Sequence, residues 1–465
     1  RTSAKIHHET ASHFFNDLNK KNIFIEKTTD QLFDEKEMQF LADRFVVGTC
    51  PKCGHNEAFG DQCENCGSTL NATDLINPRS ILSGNKPVLK STKHWFLPLN
   101  KYDSFLKKWF IIDKKKTWKS NVFGQVKSWI DEGLKPRAIT RDLDWGIPVP
   151  LKDAEGKVLY VWFDAPIGYI SSTIEWALKE KKDWKPYWQD PDTELVHFIG
   201  KDNIVFHCII FPCILHASKN YILPKNVPAN EFLNLEGRKI STSKNWAIWL
   251  NDYMEDFPDM QDSLRYVLTT NAPENKDNDF TWKDFQAKNN NELVAILGNF
   301  INRVAVLAQK YFDGKTPEVS SFESKDQSIL NEVYSYPKKI GESIESFKFR
   351  EAINTMIELA RIGNKYLADS EPWKLIKTPK KEKVNSIINI SIQICCILAI
   401  VSEPFLPSSS KKLKIQFNVP NINWNDFSVE RPLIPEKINK NDLIFRKIED
   451  DEIDFQLKKL HDFEQ

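Results

Sequence analysis

The chain has 465 residues, of which 41% are apolar, 28% charged and 12% aromatic. That composition excludes intrinsic disorder and collagen-like repeats, and the length predicts roughly two to four domains. The 64 basic and 64 acidic residues cancel, so a nucleic-acid partner requires a locally basic surface. Because no stretch reaches ~20 clean apolar residues, we expect no membrane partner and a cytoplasmic location.

Predicted helices and strands alternate in the first half of the chain. Residues 1–22 have the apolar spacing of an amphipathic helix. Dense apolar runs at Val158–Phe163 and Leu195–Ile199 predict two buried strands. A helix is expected after each strand, the first to about Lys182 and the second over Asn203–Ser218. This repetition is typical of a parallel α/β sheet.

Helical periodicity dominates the second half, from about Asp284 to the end. The most apolar stretch, Ser386–Val401, suits a buried core helix that stops before Pro404. Four long periodic segments predict a helical bundle: Phe285–Tyr311, Ser328–Phe347, Arg350–Leu367 and Val384–Val401.

Four of the eight cysteines are closely spaced: Cys50, Cys53, Cys63 and Cys66. The spacing C-x2-C-x9-C-x2-C predicts two knuckles that complete a tetrahedral site for one structural zinc ion per chain. Two disulfides, four unrelated thiols and a rubredoxin-like iron centre are the alternatives. The other four cysteines lie in apolar segments, which favours a reducing compartment.

Two segments place polar or aromatic residues where predicted strands end. In Tyr160–Tyr169 a strand runs into Ala-Pro and a helix, and its aromatic residues form either a ligand pocket or plain core. In the second segment, His197–Asp202, Gly200 lets a ligand approach the backbone and Asp202 is placed to accept hydrogen bonds from ribose hydroxyls. His207 in an apolar helix is typically a satisfied core histidine. A third segment, Lys135–Pro150, predicts an edge strand and a turn.

A short loop, Gly237–Lys244, concentrates three cations and three hydroxyls. Such a loop suits a polyphosphate, or else it is a solvated surface loop. No Walker-type or G-x-G-x-x-G phosphate loop is present in the sequence, which disfavours the usual phosphate-loop nucleotide folds.

Together and in this order, the motifs resemble the methionyl-tRNA synthetase family of class I aminoacyl-tRNA synthetases. Tyr160–Tyr169, Phe198–Asp202 and Cys50–Cys66 are jointly specific, and Lys239–Ser243 is similar to the family's KMSKS loop. The resemblance covers nearly the whole chain. It implies an α/β fold, with a partial Rossmann-like parallel sheet and a zinc-knuckle insertion, followed by an all-α anticodon-binding helical bundle.

The resemblance also implies a domain order and a missing part. The family carries its HIGH motif upstream of the matching region, so we expect this chain to be a fragment lacking that N-terminal part. The implied segments are the end of the first Rossmann half (1–26), a connective insertion with the zinc knuckle (27–140), the second Rossmann half (141–228), a stem-contact region with the KMSKS-like loop (229–284) and a helical anticodon-binding domain (285–465).

Residue roles follow from the family's motifs by position. Thr242 stands where the family usually has its second loop lysine, and Lys244 is the expected substitute. The implied methionine pocket is Trp162, Ala165, Pro166, Tyr169, Phe206 and His207. The implied ATP contacts are Gly200, Asp202 and Lys239; the catalytic loop residues are Lys239, Ser241, Ser243 and Lys244; and the anticodon-binding residues are Asn299, Arg303 and Trp373.

The implied activity is that of a methionine–tRNA ligase. Methionine is activated with ATP and Mg²⁺ to methionyl-adenylate and transferred to the 3′-terminal adenosine of tRNA(Met). The oligomeric state stays open, with a dimer through a C-terminal domain outside this chain as one option. Three rivals are a relative specific for leucine, isoleucine or valine, a catalytically inactive paralogue that binds tRNA, and a zinc-dependent nucleic-acid-binding module.

Overall fold

A computed structural model describes residues 1–465 apart from 62, 64, 67, 69, 113–116, 440–442 and 463–465, with only the backbone described at Ser243 and Asp462. The chain forms two compact units, Arg1–Ala229 and Asn230–Gln465. Separate clusters of buried apolar residues form a core in each unit, and a third, small cluster surrounds the cysteine-rich segment of the first unit.

The first unit combines four longer helices with short turns and strands. The longer helices are Lys5–Lys20, Ser120–Asp131, Val161–Glu180 and Phe211–Ser218. Shorter α-helical turns are Asp103–Leu106 and Pro186–Gln189, and π-helical turns are Lys107–Ile112 and Phe206–Ile210. The strands are Ile25–Asp34, Gln39–Phe40, Val46–Thr49, Ala58–Phe59, Ile76–Ser80, Val88–Leu97, Arg137–Ala138, Thr140–Asp142, Lys157–Leu159, Ile199–Gly200 and Ala229–Asn230.

The helix predicted at the start of the chain is confirmed over Lys5–Lys20. It forms an amphipathic surface because Ala11, Phe14, Phe15 and Leu18 recur at helical spacing and are all buried. This apolar face packs on the Val161–Glu180 helix, with the Phe15 and Phe163 rings edge to face at a centroid distance of 6.1 Å.

Among the described strands the largest sheet is antiparallel, in the order Gln39–Phe40, Ile25–Asp34, Val88–Leu97, Arg137–Ala138. Arg137–Ala138 is therefore an edge strand, and the next strand, Thr140–Asp142, pairs with Lys157–Leu159 in a separate ribbon. The edge strand expected between residues 135 and 150 is confirmed, and the predicted turn is a bend over residues 144–146.

The strand predicted over Val158–Phe163 is wrong in its second half. The strand ends at Leu159, and a helix runs from Val161 to Glu180. The apolar run spans both elements: Val161 is 48% exposed whereas Phe163 is buried in the first turn of the helix. Asp164 in that turn stabilises the helix N-terminus. A short apolar run does not distinguish the two structures by periodicity.

The second predicted strand, Leu195–Ile199, is only partly regular. Regular strand geometry is confined to Ile199–Gly200. However, the N–H of His197 donates to Asn226 O (3.1 Å) and that of Ile199 to Pro228 O (3.3 Å), so the two segments run parallel. The helix expected over 203–218 starts with two α-helical residues, Ile204 and Val205, continues as the π-helical turn and is α-helical again from Phe211.

The second unit is mostly helical. It contains a three-stranded sheet in the order Arg238–Lys239, Leu233–Leu235, Asn278–Phe280, in which the last two strands are parallel. Its α-helices are Leu250–Asp256, Gln261–Thr270, Trp282–Lys288, Asn299–Phe312, Ser324–Tyr334, Tyr336–Glu345, Phe349–Ser370, Pro372–Leu375, Lys383–Val401, Pro407–Gln416 and Asp450–Asp462, and Asn289–Gly298 is π-helical.

The predicted bundle is confirmed, with one correction. The segment expected as a single helix over Ser328–Phe347 is two helices that meet at Ser335. Pro337 lies in the first turn of the second helix, where a residue without an N–H is tolerated but the preceding helix cannot continue unbroken.

Two helical stretches are long and apolar enough to cross a membrane by length and composition, Trp282–Phe312 and Lys383–Val401. In the second stretch, every residue from Ile387 to Val401 is buried within the unit. The prediction of a buried core helix is therefore confirmed. The predicted fold class, an α/β part followed by a helical bundle, also agrees with the two units.

Candidate active site, metal centre and anticodon surface

The four closely spaced cysteines converge on one point. All four Sγ atoms lie within 4.8 Å of one another. The Cys50–Cys66 sulfur pair is separated by 3.9 Å and the Cys53–Cys63 pair by 3.6 Å. A tetrahedron of thiolates around zinc, with Zn–S near 2.3 Å, has edges of about 3.8 Å. The sulfur positions therefore fit a tetrahedral metal site, and no disulfide joins these cysteines.

Local hydrogen bonds shape this metal site. Gly54 adopts a φ of 75°, and its N–H donates to Cys50 O at 3.0 Å, closing the first turn. Hydrogen bonds from Ser68 lower the pKa of the Cys66 thiol to about 6. The thiolate form, which is the form that binds metal, is thus favoured at Cys66.

Predicted methionine-pocket residues lie on one face of the Val161–Glu180 helix. Positions 162, 165, 166 and 169 are spaced i, i+3, i+4, i+7, so Trp162, Ala165, Pro166 and Tyr169 share that face. The Trp162 and Phe206 ring centroids are 4.1 Å apart. The structure therefore brings the helix face against the turn that carries Phe206.

His207 is held by two hydrogen bonds. Its Nε2 lies 2.9 Å from Tyr169 Oη, and its Nδ1 lies 2.9 Å from Asn203 O. A carbonyl oxygen only accepts, so Nδ1 carries the proton and Nε2 accepts from the tyrosine hydroxyl. Burial lowers the pKa of His207, which keeps the ring neutral. The histidine is satisfied, as expected, and it also fixes the Tyr169 hydroxyl.

A third ring, which was not predicted from the sequence, lies beside this pair. The His197 ring centroid lies 5.0 Å from that of Tyr169 and 5.1 Å from that of His207. His197 is 5% exposed, and within the described residues its Nε2 has no hydrogen-bond partner. Burial, and then the nearby His207, lowers the pKa of His197 to about 4. The available signal was its place as a polar residue inside the apolar run Leu195–Ile199, ahead of Gly200.

Gly200 and Asp202 lie at the start of the segment that leads to His207. A Cβ placed on Gly200 would meet Asp202 Oδ1 at 2.8 Å, so this glycine leaves room for the carboxylate. Asp202 is exposed at the end of the short strand Ile199–Gly200. Backbone and carboxylate are accordingly both accessible to a ligand there.

The cationic loop is a tight turn in the second unit. Ser241 and Trp246 exchange two backbone hydrogen bonds of 2.9 Å, and residues Thr242–Lys244 form a 3-10 turn between them. Arg238 lies over the Trp246 ring, with its Cζ 4.0 Å from the centroid. Lys239 and Lys244 are exposed, while the side chain of Ser243 lies outside the described residues.

A buried charge cluster that the sequence did not reveal holds the Thr140–Asp142 strand. Asp142 lies 3.0 Å from His94 Nε2, accepts from Thr92 Oγ1 at 2.8 Å and pairs with Lys157. Burial opposes its ionisation, but these partners outweigh burial and lower the pKa of Asp142 to about 2. The adjacent Arg141 is consequently held on a rigid strand.

The predicted anticodon residues are brought together in the bundle. Asn299 and Arg303 are one turn apart on the Asn299–Phe312 helix. The Arg303 Cζ lies 5.1 Å from the centroid of the Trp373 ring. Asn299 is exposed, and Arg303 and Trp373 are half-buried. One aromatic face, one guanidinium and one amide therefore form a surface suited to unpaired bases.

Two family models match the chain. The model described as "tRNA synthetases class I (M)" matches residues 1–305, and that described as "Anticodon binding domain of methionyl tRNA ligase" matches residues 316–462. The chain is therefore a class I aminoacyl-tRNA synthetase.

Curated relatives identify the family within the class I aminoacyl-tRNA synthetases. The chain is 62% identical to a methionine–tRNA ligase of Christiangramia forsetii, covering 99% of this chain and 68% of that protein. It is 61% identical to one of Flavobacterium psychrophilum, covering 99% and 67%. The chain belongs to the methionyl-tRNA synthetase family. Neither an inactive paralogue nor a relative specific for leucine, isoleucine or valine is favoured by these relatives.

A solved structure has the same fold. Mycobacterium tuberculosis methionyl-tRNA synthetase bound by methionyl-adenylate is similar to this chain with a TM-score of 0.76 and 19% identity, covering 96% of this chain and 82% of that one. The predicted fold class is confirmed by this similarity.

Proposed function

We propose how the residues of this chain divide the work of a methionine–tRNA ligase, the activity that its family membership gives it. The substrates are ATP, L-methionine and tRNA(Met). Methionine's carboxylate attacks the α-phosphorus of ATP, and the ribose hydroxyl of the tRNA's terminal adenosine then attacks the acyl carbon. No protein nucleophile is needed, so the protein contributes positioning and charge stabilisation.

Methionine binds on the aromatic helix face in this proposal. The supporting observation is that Trp162, Ala165, Pro166 and Tyr169 share one face beside Phe206 and His207. A thioether makes favourable contacts with ring edges. Because His207 Nε2 accepts from Tyr169, both groups are fixed in orientation before the sulfur arrives.

ATP is handled by two groups of residues. Gly200 offers close approach to the backbone, and the exposed Asp202 accepts from ribose hydroxyls. Lys239, Ser241, Ser243 and Lys244 act on the phosphates, since the exposed lysines of the tight loop neutralise charge as pyrophosphate leaves. Mg²⁺ accompanies ATP and adds to this neutralisation.

The tRNA anticodon is read in the bundle. Trp373 stacks on an unpaired base, and Asn299 and Arg303 donate to base edges. The contact between Arg303 and Trp373 supports this assignment, because it presents a cation and an aromatic face together.

Four thiolates hold one structural zinc ion per chain in this proposal. The sulfur separations match zinc, and four protein ligands leave no open position for catalysis. We further assign the five segments 1–26, 27–140, 141–228, 229–284 and 285–465 to the roles expected for them. The proposal also includes a cytoplasmic location without a membrane partner. It does not assign an oligomeric state.

The deciding experiment measures methionine-dependent ATP–pyrophosphate exchange and tRNA charging on the full-length protein. Lys239→Ala should lower exchange far more than methionine affinity, because its charge matters most as pyrophosphate leaves. Trp373→Ala should spare exchange and weaken charging by roughly 1–3 kcal/mol, the range for one stacked base.

Each variant controls for the other in that experiment. Equal losses of exchange and methionine binding in Lys239→Ala would refute the role of the loop, and a loss of exchange in Trp373→Ala would refute the anticodon assignment. Absence of any exchange in a folded, metal-loaded protein would favour the inactive paralogue.

A further inference from the structure

Arg137 is a half-buried cation between two indole rings. Its Cζ lies 5.3 Å from the centroid of the Trp129 ring and 5.2 Å from that of Trp162. Trp162 in turn contacts Phe206, with ring centroids 4.1 Å apart. The side chains thus form a layered group that begins at Trp129, on the Ser120–Asp131 helix, and ends in the proposed methionine pocket.

Within the part of the chain that the structure describes, the Arg137 guanidinium forms neither an ion pair nor a hydrogen bond. The carboxylate of Asp43 is engaged elsewhere, 3.6 Å from Arg141 and 3.0 Å from Tyr160 Oη. Two guanidinium groups therefore share one nearby carboxylate. Burial lowers the pKa of Arg137, but an arginine remains charged at neutral pH.

An unsatisfied, half-buried guanidinium is costly unless it meets an anion. Its N–H groups suit a phosphate, for which arginine offers several donors in one plane. The flanking indoles add flat apolar surfaces, the feature on which unpaired bases stack. Cation and aromatic rings together are therefore better matched to single-stranded nucleic acid than to a lone carboxylate.

Position favours the same ligand. Arg137 lies on the edge strand Arg137–Ala138, which leaves one side of the strand unpaired by its sheet. The reaction requires the unpaired 3′ end of tRNA to reach the proposed methionine pocket, and Trp162 belongs to both the pocket and the layered group. We propose that Trp129, Arg137 and Trp162 receive the single-stranded 3′ end of the tRNA, with Arg137 binding a phosphate. The inference rests on the proposed function of the neighbouring pocket.

The test compares Arg137→Gln with wild type on two tRNAs, one intact and one lacking the terminal CA dinucleotide. Binding of the intact tRNA should weaken about ten-fold, whereas binding of the shortened tRNA should change less than two-fold. Methionine-dependent exchange, which needs no tRNA, should stay within two-fold. Trp129→Leu should show the same pattern, since it removes one stacking surface and the ring contact that helps to hold Arg137.

Arg79→Gln is the matched control, because Arg79 is exposed and already paired with Glu57 at 2.5 Å. Zinc content and thermal unfolding establish that each variant is folded, and Arg137→Lys, which keeps charge but loses the planar group, replaces Arg137→Gln if that variant fails to fold. It should weaken intact tRNA selectively and to a lesser degree.

Three results would overturn the inference. Equal weakening of both tRNAs would indicate general attraction, loss of exchange would assign Arg137 to methionine or ATP, and unchanged binding would make the layered group structural. Failure of the proposed function is recognised separately: wild-type protein would then lack exchange, while the comparison of the two tRNAs would remain readable.

Discussion

The Tyr169–His197–His207 cluster depends on histidines that stay neutral. Burial lowers the pKa of His207 and favours the neutral ring, although the hydrogen bond from Nδ1–H to Asn203 O acts in the opposite direction. His197 adds a ring that no hydrogen bond to Nε2 supports in the described residues. A charge on either ring would disturb the Tyr169 hydroxyl that the pair orients.

The free energy of unfolding should therefore decrease as the pH is lowered, because His197 is protonated less readily in the folded protein. The unfolded chain binds a proton near the ordinary pKa of 6.5, whereas the folded protein does so only at about 4. The contribution is complete above pH 6.5 and is lost as the pH falls towards 4, by about 3 kcal/mol in all. Urea unfolding of wild type and His197→Asn at several pH values measures it. The difference between the two should shrink as the pH falls across this window; a pH-independent difference would contradict the prediction.

At the scale of elements, the cationic loop has Thr242 where the family usually has a second lysine. Thr242 and Lys244 lie in one 3-10 turn, roughly 4 Å apart along its axis. A lysine side chain spans that distance easily, and both positions are exposed. Because positions i and i+2 of a 3-10 turn point about 120° apart, Lys244 acts for position 242 only by extending its long side chain around the loop.

Lys244→Ala should lower pyrophosphate exchange about ten-fold or more, which corresponds to ~1.4 kcal/mol of transition-state stabilisation. Adding Thr242→Lys to that variant should restore most of the lost rate. Thr242→Ser in the same background is the control and should restore nothing. Full activity of Lys244→Ala alone would show that Lys239 suffices.

Close packing of two helices supports the proposed anticodon surface. A Cβ on Gly363, in the Phe349–Ser370 helix, would lie 2.4 Å from Cζ of the buried Phe300. Phe300 lies between Asn299 and Arg303 in the sequence of the neighbouring helix. The absence of a side chain at 363 thereby sets the position of the surface that carries both residues.

Gly363→Ala should destabilise the protein by about 1–2 kcal/mol, because overpacking outweighs the ~1 kcal/mol gained in helix propensity. It should also weaken tRNA charging without changing exchange. Gly341→Ala is a matched control, since its Cβ would meet Trp424 at an ordinary 3.8 Å. The control should be neutral or stabilising in thermal unfolding, and equal destabilisation of both variants would refute the packing argument.

Helices could be predicted from the sequence where apolar residues repeat at helical spacing over many residues. The Lys5–Lys20 and Lys383–Val401 helices show this, and the cysteine pairs were predictable too, because their spacing alone encodes a geometry. The six-residue run 158–163 was too short to separate a strand from a helix start. The contacts of His197 and Arg137 were not predictable, because their ring partners come from distant parts of the chain.

At the scale of the whole molecule, the chain is two units with separate cores, and the proposed metal site belongs to a third, small core within the first unit. That core contains few large side chains, among them Leu32, Leu41, Leu70 and Leu75. Its stability should depend on the metal, since little apolar area is buried there.

Removing the metal with a chelator should therefore expose residues 46–80 to hydrogen exchange while the Lys383–Val401 helix stays protected. Mass spectrometry should find one zinc ion per chain before treatment, and added Zn²⁺, but not Mg²⁺, should restore protection. Uniform loss of protection in both units would show instead that the metal stabilises the whole protein.

The cysteines outside the knuckle have a practical consequence. Cys208, Cys213, Cys395 and Cys396 are buried, and burial raises the pKa of each thiol. They are thus silent towards thiol reagents while the protein stays folded. Among the eight cysteines of this chain, the number of thiols that react should therefore report on the proposed metal site: fewest while an ion is bound, four once it leaves, and eight only when the cores open.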